Sequence, residues 1–302
     1  MSRVAVATVG LLPAAWGLRH VTSPAVRQWE PPTLPGRRVG RLYARAGGDG
    51  ERAVVLLHGL VSTGDVFGAP YDELAATHRL VVPDLLGFGR SLDESATAFP
   101  IVDHLDALDH LATATGIFDR PVTIGAHSMG SSLALHWAAR HPGVIDRVVC
   151  WGAPIQRSPE RAEANLAGSA MARVFALDTR WAERVCAVNC RHRTAAGWFA
   201  AAWAPTLPTA LTRAAPLHTW PAYRDAIRQL VIDVEWGDAL RALSDRAVRV
   251  ELVWGRNDHV GDHRYGEELA GRHRDVEVAI IDREGHHLPI ARPALCADRL
   301  AD

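Results

Sequence analysis

The chain has 302 residues, 48% of them hydrophobic and 22% charged, with a formal net charge of −1. That near-neutral balance argues against nucleic acid or an anionic membrane surface as a partner. Every strongly basic side chain is Arg and none is Lys, which excludes a Schiff-base lysine and the phosphate-binding lysine of a P-loop.

The length suits one large domain, or one domain carrying an insertion. At the N-terminus VAVATVGLLPAAWGL (4–18) is apolar and follows Arg3. It is shorter than the roughly 20 residues of a membrane span, so no stable membrane insertion is expected. Three readings stay open: a helix packed on the domain, a loosely held extension, or a signal core that would export or anchor the protein through residues 1–30. The Pro-rich WEPPTLPG (29–36) reads as an extended linker. GRLYARA (40–46) then reads as an edge strand, and AGGDGE (46–51) as a turn.

Apolar runs of strand length follow: AVVLLH (53–58), RLVVPD (79–84), PVTIGA (121–126), RVVCWG (147–152), VRVELVWG (248–255) and VEVAIID (276–282). Segments with helical spacing lie between most of them. Continuous apolar strands alternating with helices predict an α/β fold, a mostly parallel central sheet covered on both faces. The rhythm breaks between about 154 and 240, where the Arg-, Ala- and Trp-rich sequence reads as helices only. The organisation expected is an extension (1–35), a core (36–153 and 241–302) and a helical cap (154–240) over one end of the sheet. The cap aromatics either line a pocket or form the small core between cap and body.

The four cysteines, Cys150, Cys186, Cys190 and Cys296, form no Cys-x-x-Cys pair. They read as reduced, buried thiols of a cytoplasmic protein. Cys186 and Cys190 are one helical turn apart with His192 nearby, the remaining alternative being a zinc site. Asp258, His259, Asp262 and His263 likewise admit a metal reading. The expectation is no metal.

Five segments carry the chemistry. VTIGAHSMG (122–130) places Ser128 between a β-branched run and an amphipathic helix. It resembles the nucleophile elbow of α/β-hydrolases, with Ala126 where Gly is usual and Gly130 retained. VVLLHGLVSTGDVF resembles the early His-Gly loop of the same superfamily, and PDLLGFGRS (83–91) the loop after the next strand. VELVWGRNDHVGDH puts Asp258 in a late loop, with Asp262 as rival but better placed as a helix N-cap. VAIIDREGHHLPIARP offers His286 after Gly285, with His287 as alternative. The order Ser, acid, His is that of the α/β-hydrolases. From residue 50 to 300 the chain is therefore identified as resembling a cap-bearing serine hydrolase of that superfamily, esterase- or lipase-like.

The resemblance implies an α/β-hydrolase fold and a triad of Ser128, Asp258 and His286. It also implies an oxyanion hole formed by the backbone N–H groups of Leu60 and Met129. Gly59, Phe67, Trp198 and Trp203 are candidates for the substrate pocket. His58 and Asp84 read as structural, and His127 as pointing away from Ser128. The function implied is cleavage of a carboxylic ester of a small apolar substrate through an acyl-enzyme, with no metal or organic cofactor. The same residues would serve a carbon–carbon hydrolase, thioesterase, acyltransferase or perhydrolase, and the fold also hosts non-catalytic binding proteins.

Overall fold

The computed structural model describes residues 16–168 and 180–301. Most of the apolar run that prompted the export reading, residues 4–15, lies outside them.

Eight strands form one sheet: β1 Gly36–Val39, β2 Leu42–Gly47, β3 Ala53–Leu57, β4 Arg79–Asp84, β5 Val122–His127, β6 Ile145–Trp151, β7 Arg249–Gly255 and β8 Val276–Ile281. Their order across the sheet is β1-β2-β4-β3-β5-β6-β7-β8. β2 pairs antiparallel with both β1 and β4, and every later pairing is parallel. The apolar runs are continuous because both faces are covered. On β3, Ala53, Val55 and Leu57 enter one core, whereas Val54 and Leu56 enter the other. β6 divides in the same way, with Val148 and Cys150 on one side and Val149 and Trp151 on the opposite side.

GRLYARA is a strand but not the edge. β2 has neighbours on both sides, because Gly36–Val39, at the end of the proline-rich stretch, turns back to pair with it. The exposed Arg37 and Arg38 suit that outer strand. Nor is the stretch before it a free linker. The Thr33 and Leu34 amides donate to the Asp72 carboxylate at 2.6 and 3.0 Å. Asp72 in turn pairs with Arg45 of β2, both side chains being buried. Further upstream the short helix Pro24–Gln28 packs against residues 288–291. Trp16, His20 and Ser23 donate to the carbonyls of Ala202, Pro205 and Thr206. The described part of the extension is thus bonded to the rest of the protein.

The helices that matter for the site are α1 Ile101–Thr115, α2 Met129–Arg140, α3 Pro159–Gly168, α4 Arg180–Arg191, α5 Arg193–Trp203, α6 Thr209–Ala214, α7 Trp220–Ile227, α8 Trp236–Ser244 and α9 His263–Ala270. α3 to α8 fill the interval between β6 and β7, where no described residue forms a named strand. α8 packs against α2 and β7, so this last helix of the excursion belongs spatially with the sheet. The excursion also rests on the loop after β4: the Gly89 amide donates to the Leu217 carbonyl at 2.8 Å.

Candidate active site

Ser128 occupies the turn from β5 into α2, with φ 53° and ψ −123°. A non-glycine residue rarely holds a positive φ, and such strain persists only where its surroundings enforce it. Here the Ser128 amide donates to the Trp151 carbonyl on β6 at 2.9 Å, and its carbonyl accepts from Ser131 N–H at 2.9 Å. Gly130 explains the motif's last position. A Cβ there would lie 2.6 Å from the carbonyl oxygens of both Leu57 and His58, so the helix can press onto β3 only with glycine. Ala126, at the position usually glycine, is fully buried on β5.

Three loops at the carboxyl ends of β5, β7 and β8 bring distant residues together. Ser128 Oγ–H donates to His286 Nε2 at 3.0 Å. His286 Nδ1–H donates to Asp258 Oδ2 at 2.9 Å, the carboxylate being able only to accept. The other Asp258 oxygen, Oδ1, accepts from the Val260 amide at 2.8 Å. Burial alone would raise the Asp258 carboxyl, but His286 and the Val260 amide outweigh it and hold the group below its ordinary value. The acid and base loops are also tied directly, Asn257 N–H donating to the Glu284 carbonyl at 2.8 Å. Glu284 is buried and accepts from Arg292 Nε at 2.6 Å, which fixes the base loop to the C-terminal helices.

Two neighbours of this hydrogen-bond chain carry no signal in the motif pattern. His127, expected to point away from Ser128, brings its ring to 4.9 Å from that of His286, and its Nε2–H donates to the His286 carbonyl at 2.9 Å. Burial, then the nearby His286 and His287 rings, hold His127 well below the ordinary imidazole value. It therefore stays neutral at physiological pH. Gly152, just past β6, has φ +60°. A Cβ added there would lie 3.0 Å from both Asp258 Oδ2 and His286 Nδ1. His287, the alternative base, packs its ring edge-on to His286 at 5.4 Å between centroids.

The early loop adjoins the elbow. A Cβ on Gly59 would lie 3.1 Å from Ser128 Cβ. Val61, after Leu60, has φ 47°, a strained value for a β-branched residue. Among the described residues no backbone acceptor pairs with the N–H of Leu60 or Met129. His58 accepts from the Leu85 amide at Nε2, at 2.8 Å, and its Nδ1–H donates to the Gly59 carbonyl at 2.8 Å. Asp84 accepts from the amides of Gly64 and Arg90 and from the Arg90 side chain. Both residues hold loops in place. Asp262 caps α9, accepting from the Tyr265 amide at 3.1 Å, and the Asp258–His263 stretch does not converge as a ligand set.

The pocket candidates separate. Gly59 lies against Ser128, whereas Phe67 is fully buried in the core, edge-on to Tyr71 at 5.2 Å and near Trp151. Trp198 and Trp203 are 54% and 60% exposed. α5 packs on α6 through its small face: a Cβ on Gly197 would lie 2.6 Å from the Arg213 carbonyl oxygen. Close helix contact thus takes Gly197 and Ala201 inward and turns the large rings out. Trp198 lies under the Arg213 guanidinium, and Trp203 stacks on Phe199.

Residues 54–299 match the alpha/beta hydrolase family. An uncharacterised protein of Mycobacterium tuberculosis is 25% identical over 86% of this chain and 78% of its own length. The cis-3-alkyl-4-alkyloxetan-2-one decarboxylase of Xanthomonas campestris is 27% identical over 80% of this chain and 83% of its own. Among solved structures, E-2-(acetamidomethylene)succinate hydrolase superposes with a TM-score of 0.65 at 20% identity, covering 88% of this chain and 97% of that one.

Proposed function

The chain belongs to the alpha/beta hydrolase family, and from that premise we propose that it cleaves a carboxylic ester of a small, apolar substrate through an acyl-enzyme on Ser128. The observation that carries this reading is the unbroken hydrogen-bond chain from Ser128 Oγ through His286 to Asp258. A serine hydroxyl is a weak nucleophile until a base removes its proton. In the reading offered, His286 Nε2 takes that proton as Oγ attacks the ester carbon. Asp258 orients the imidazole and stabilises the imidazolium. The amides of Leu60 and Met129 receive the oxyanion, aided by the N-terminus of α2. His286 then protonates the leaving alcohol. A water, deprotonated by the same nitrogen, releases the acid and regenerates Ser128. No step in this scheme uses a metal or organic cofactor.

The test is hydrolysis of p-nitrophenyl acyl esters of increasing chain length, with Ser128→Ala alongside. The expected outcome is turnover that falls by three or more orders of magnitude, roughly, in the variant, with fluorophosphonate labelling confined to Ser128. Labelling without ester turnover would replace the ester with another acyl substrate. Neither labelling nor turnover would remove the catalytic reading.

A further inference from the structure

α4 carries Cys186 and Cys190 four residues apart, one above the other on one face of the helix. Their sulfurs are 3.6 Å apart. The segment between α6 and α7 brings His218 to the same place, with Nδ1 3.9 Å from Cys186 Sγ. The three ligand atoms all lie within 4.8 Å of one another. His192, the histidine closest in sequence, is not part of the group.

We propose that Cys186, Cys190 and His218 form a binding site for a soft divalent metal ion of the zinc class. This inference is independent of the reaction assigned to Ser128. Two of the three ligand–ligand distances are those of a tetrahedral set, and the third is within 4.8 Å. With Zn–S near 2.3 Å and Zn–N near 2.0–2.1 Å, tetrahedral coordination sets S···S at about 3.8 Å and S···N at about 3.6 Å. The observed 3.6 and 3.9 Å differ from those edges by a few tenths of an ångström. Two thiolates and an imidazole favour zinc over magnesium or calcium, which take oxygen. Cys186 and His218 are buried and Cys190 is half-buried, so a solvent ligand in the fourth position would enter from the Cys190 side.

Binding replaces the present contacts. Cys190 Sγ–H now donates to the His218 carbonyl at 3.0 Å, and His218 Nδ1 lies 3.2 Å from the Thr219 carbonyl oxygen. The ion takes both thiol protons' places, releasing two protons to solvent. The imidazole binds through Nδ1 and keeps its hydrogen on Nε2. The consequence is mechanical. The His218 ring lies 6.2 Å from the Phe88 ring, and the adjacent Leu217 carbonyl holds Gly89 on the body. A metal here would clamp α4 to the point where the excursion meets the loop after β4.

The test uses the full chain without a histidine tag, reduced and stripped with chelator, then titrated with Co²⁺ and Zn²⁺. The expected result is one ion per chain, thiolate-to-cobalt charge-transfer absorption that Zn²⁺ abolishes, and a melting temperature raised by Zn²⁺. Cys186→Ser and Cys190→Ser should each weaken binding by at least about a hundredfold, as much as or more than loss of an outer-shell partner. Cys296→Ser should leave it unchanged. Absence of stoichiometric binding, or serine variants that bind as the wild type does, would overturn the proposal. If the variants fail to fold, alkylation of the native protein decides. Zn²⁺ should protect Cys186 and Cys190 from a maleimide, and equal labelling with and without it rejects the site. A Cys186–Cys190 disulfide in the isolated protein, with no metal uptake after reduction, also rejects it.

Discussion

His127 holds His286 by its main chain: the Nε2–H of one donates to the carbonyl of the other at 2.9 Å, and the two rings lie 4.9 Å apart. The residue beside the proposed nucleophile thereby positions the proposed base, although the two are 159 residues apart in the chain. Since His127 stays neutral, Gln is a fair substitute that can still donate. His127→Leu should lower kcat for an acyl ester about tenfold, the worth of one buried hydrogen bond, with little change in KM. His127→Gln should recover most of it. Equal kcat in the Leu variant would show that other contacts suffice to hold the loop.

Gly152 leaves no room for a side chain beneath the acid–base pair. Gly152→Ala places a methyl 3.0 Å from both Asp258 Oδ2 and His286 Nδ1, on a backbone at φ +60°. The strain should cost about 1–2 kcal/mol of stability. Ester turnover should fall by more than that loss explains, because the imidazole must move. Urea denaturation read alongside kcat separates the two effects. A variant with wild-type turnover would mean that the pair shifts without cost.

His104 on α1 is buried, and neither ring nitrogen has a hydrogen-bond partner. Burial, against the opposing pull of Asp103, lowers it from 6.5 to about 4. The sign follows from proton uptake. Between those two values the unfolded chain binds a proton at this position and the folded chain does not, so stability is lost as pH falls. The slope is about 1.4 kcal/mol per pH unit for one such group. His104→Leu should therefore narrow the difference in urea midpoint between about pH 7 and about pH 5. An unchanged difference would assign the acid sensitivity to other groups.

Arg45 and Asp72 form a buried ion pair, and Asp72 also accepts from the amides of Thr33 and Leu34. Arg45 donates further to the carbonyls of Gly64 and Phe67. Asp72→Ala removes the nearer carboxylate from a buried guanidinium, leaving Asp65 at 3.7 Å, and should destabilise by up to about 3 kcal/mol. The double variant Arg45→Met with Asp72→Leu should recover part of that loss. Chemical denaturation of the three proteins checks it. A single variant within about 0.5 kcal/mol of wild type would show that Asp65 or water suffices to compensate Arg45.

The inner strands are legible because a strand covered on both faces must be apolar throughout, as AVVLL at Ala53–Leu57 is. β1 is not, because Gly-Arg-Arg-Val is exposed and gains its partner only when Val39 and Leu42 close the hairpin. Ser128, Asp258 and His286 could be chosen by motif and order alone, each standing in a loop at a strand end. The roles of His127 and Gly152 could not, since both depend on how the β8 loop folds back over β5 and β6. On α5 hydrophobicity misleads: the contact with α6 requires small residues, so Trp198 and Trp203 turn outward. His218 carries no signal beside Cys186 and Cys190 for a related reason: it lies 32 residues from Cys186 in the chain, and only the fold brings its ring there.

β6 and β7 lie side by side and parallel, with Trp151 opposite Val253. Parallel neighbours need one return limb along the sheet, and α8, packed on α2 and β7, supplies it. Residues 154–235 exceed that one limb, yet part of the stretch is built into the body: Ile155, Tyr223 and Leu230 enter the core shared by β5 and α2. Any exchange of that stretch has to keep apolar side chains at those positions, or it opens the core against α2, the helix that Ser128 leads into. The junctions for such an exchange are Gly152, whose amide is held by the Val253 carbonyl at 2.8 Å, and the start of Trp236–Ser244. The stretch is thus held where it meets the sheet and open to change at its exposed face.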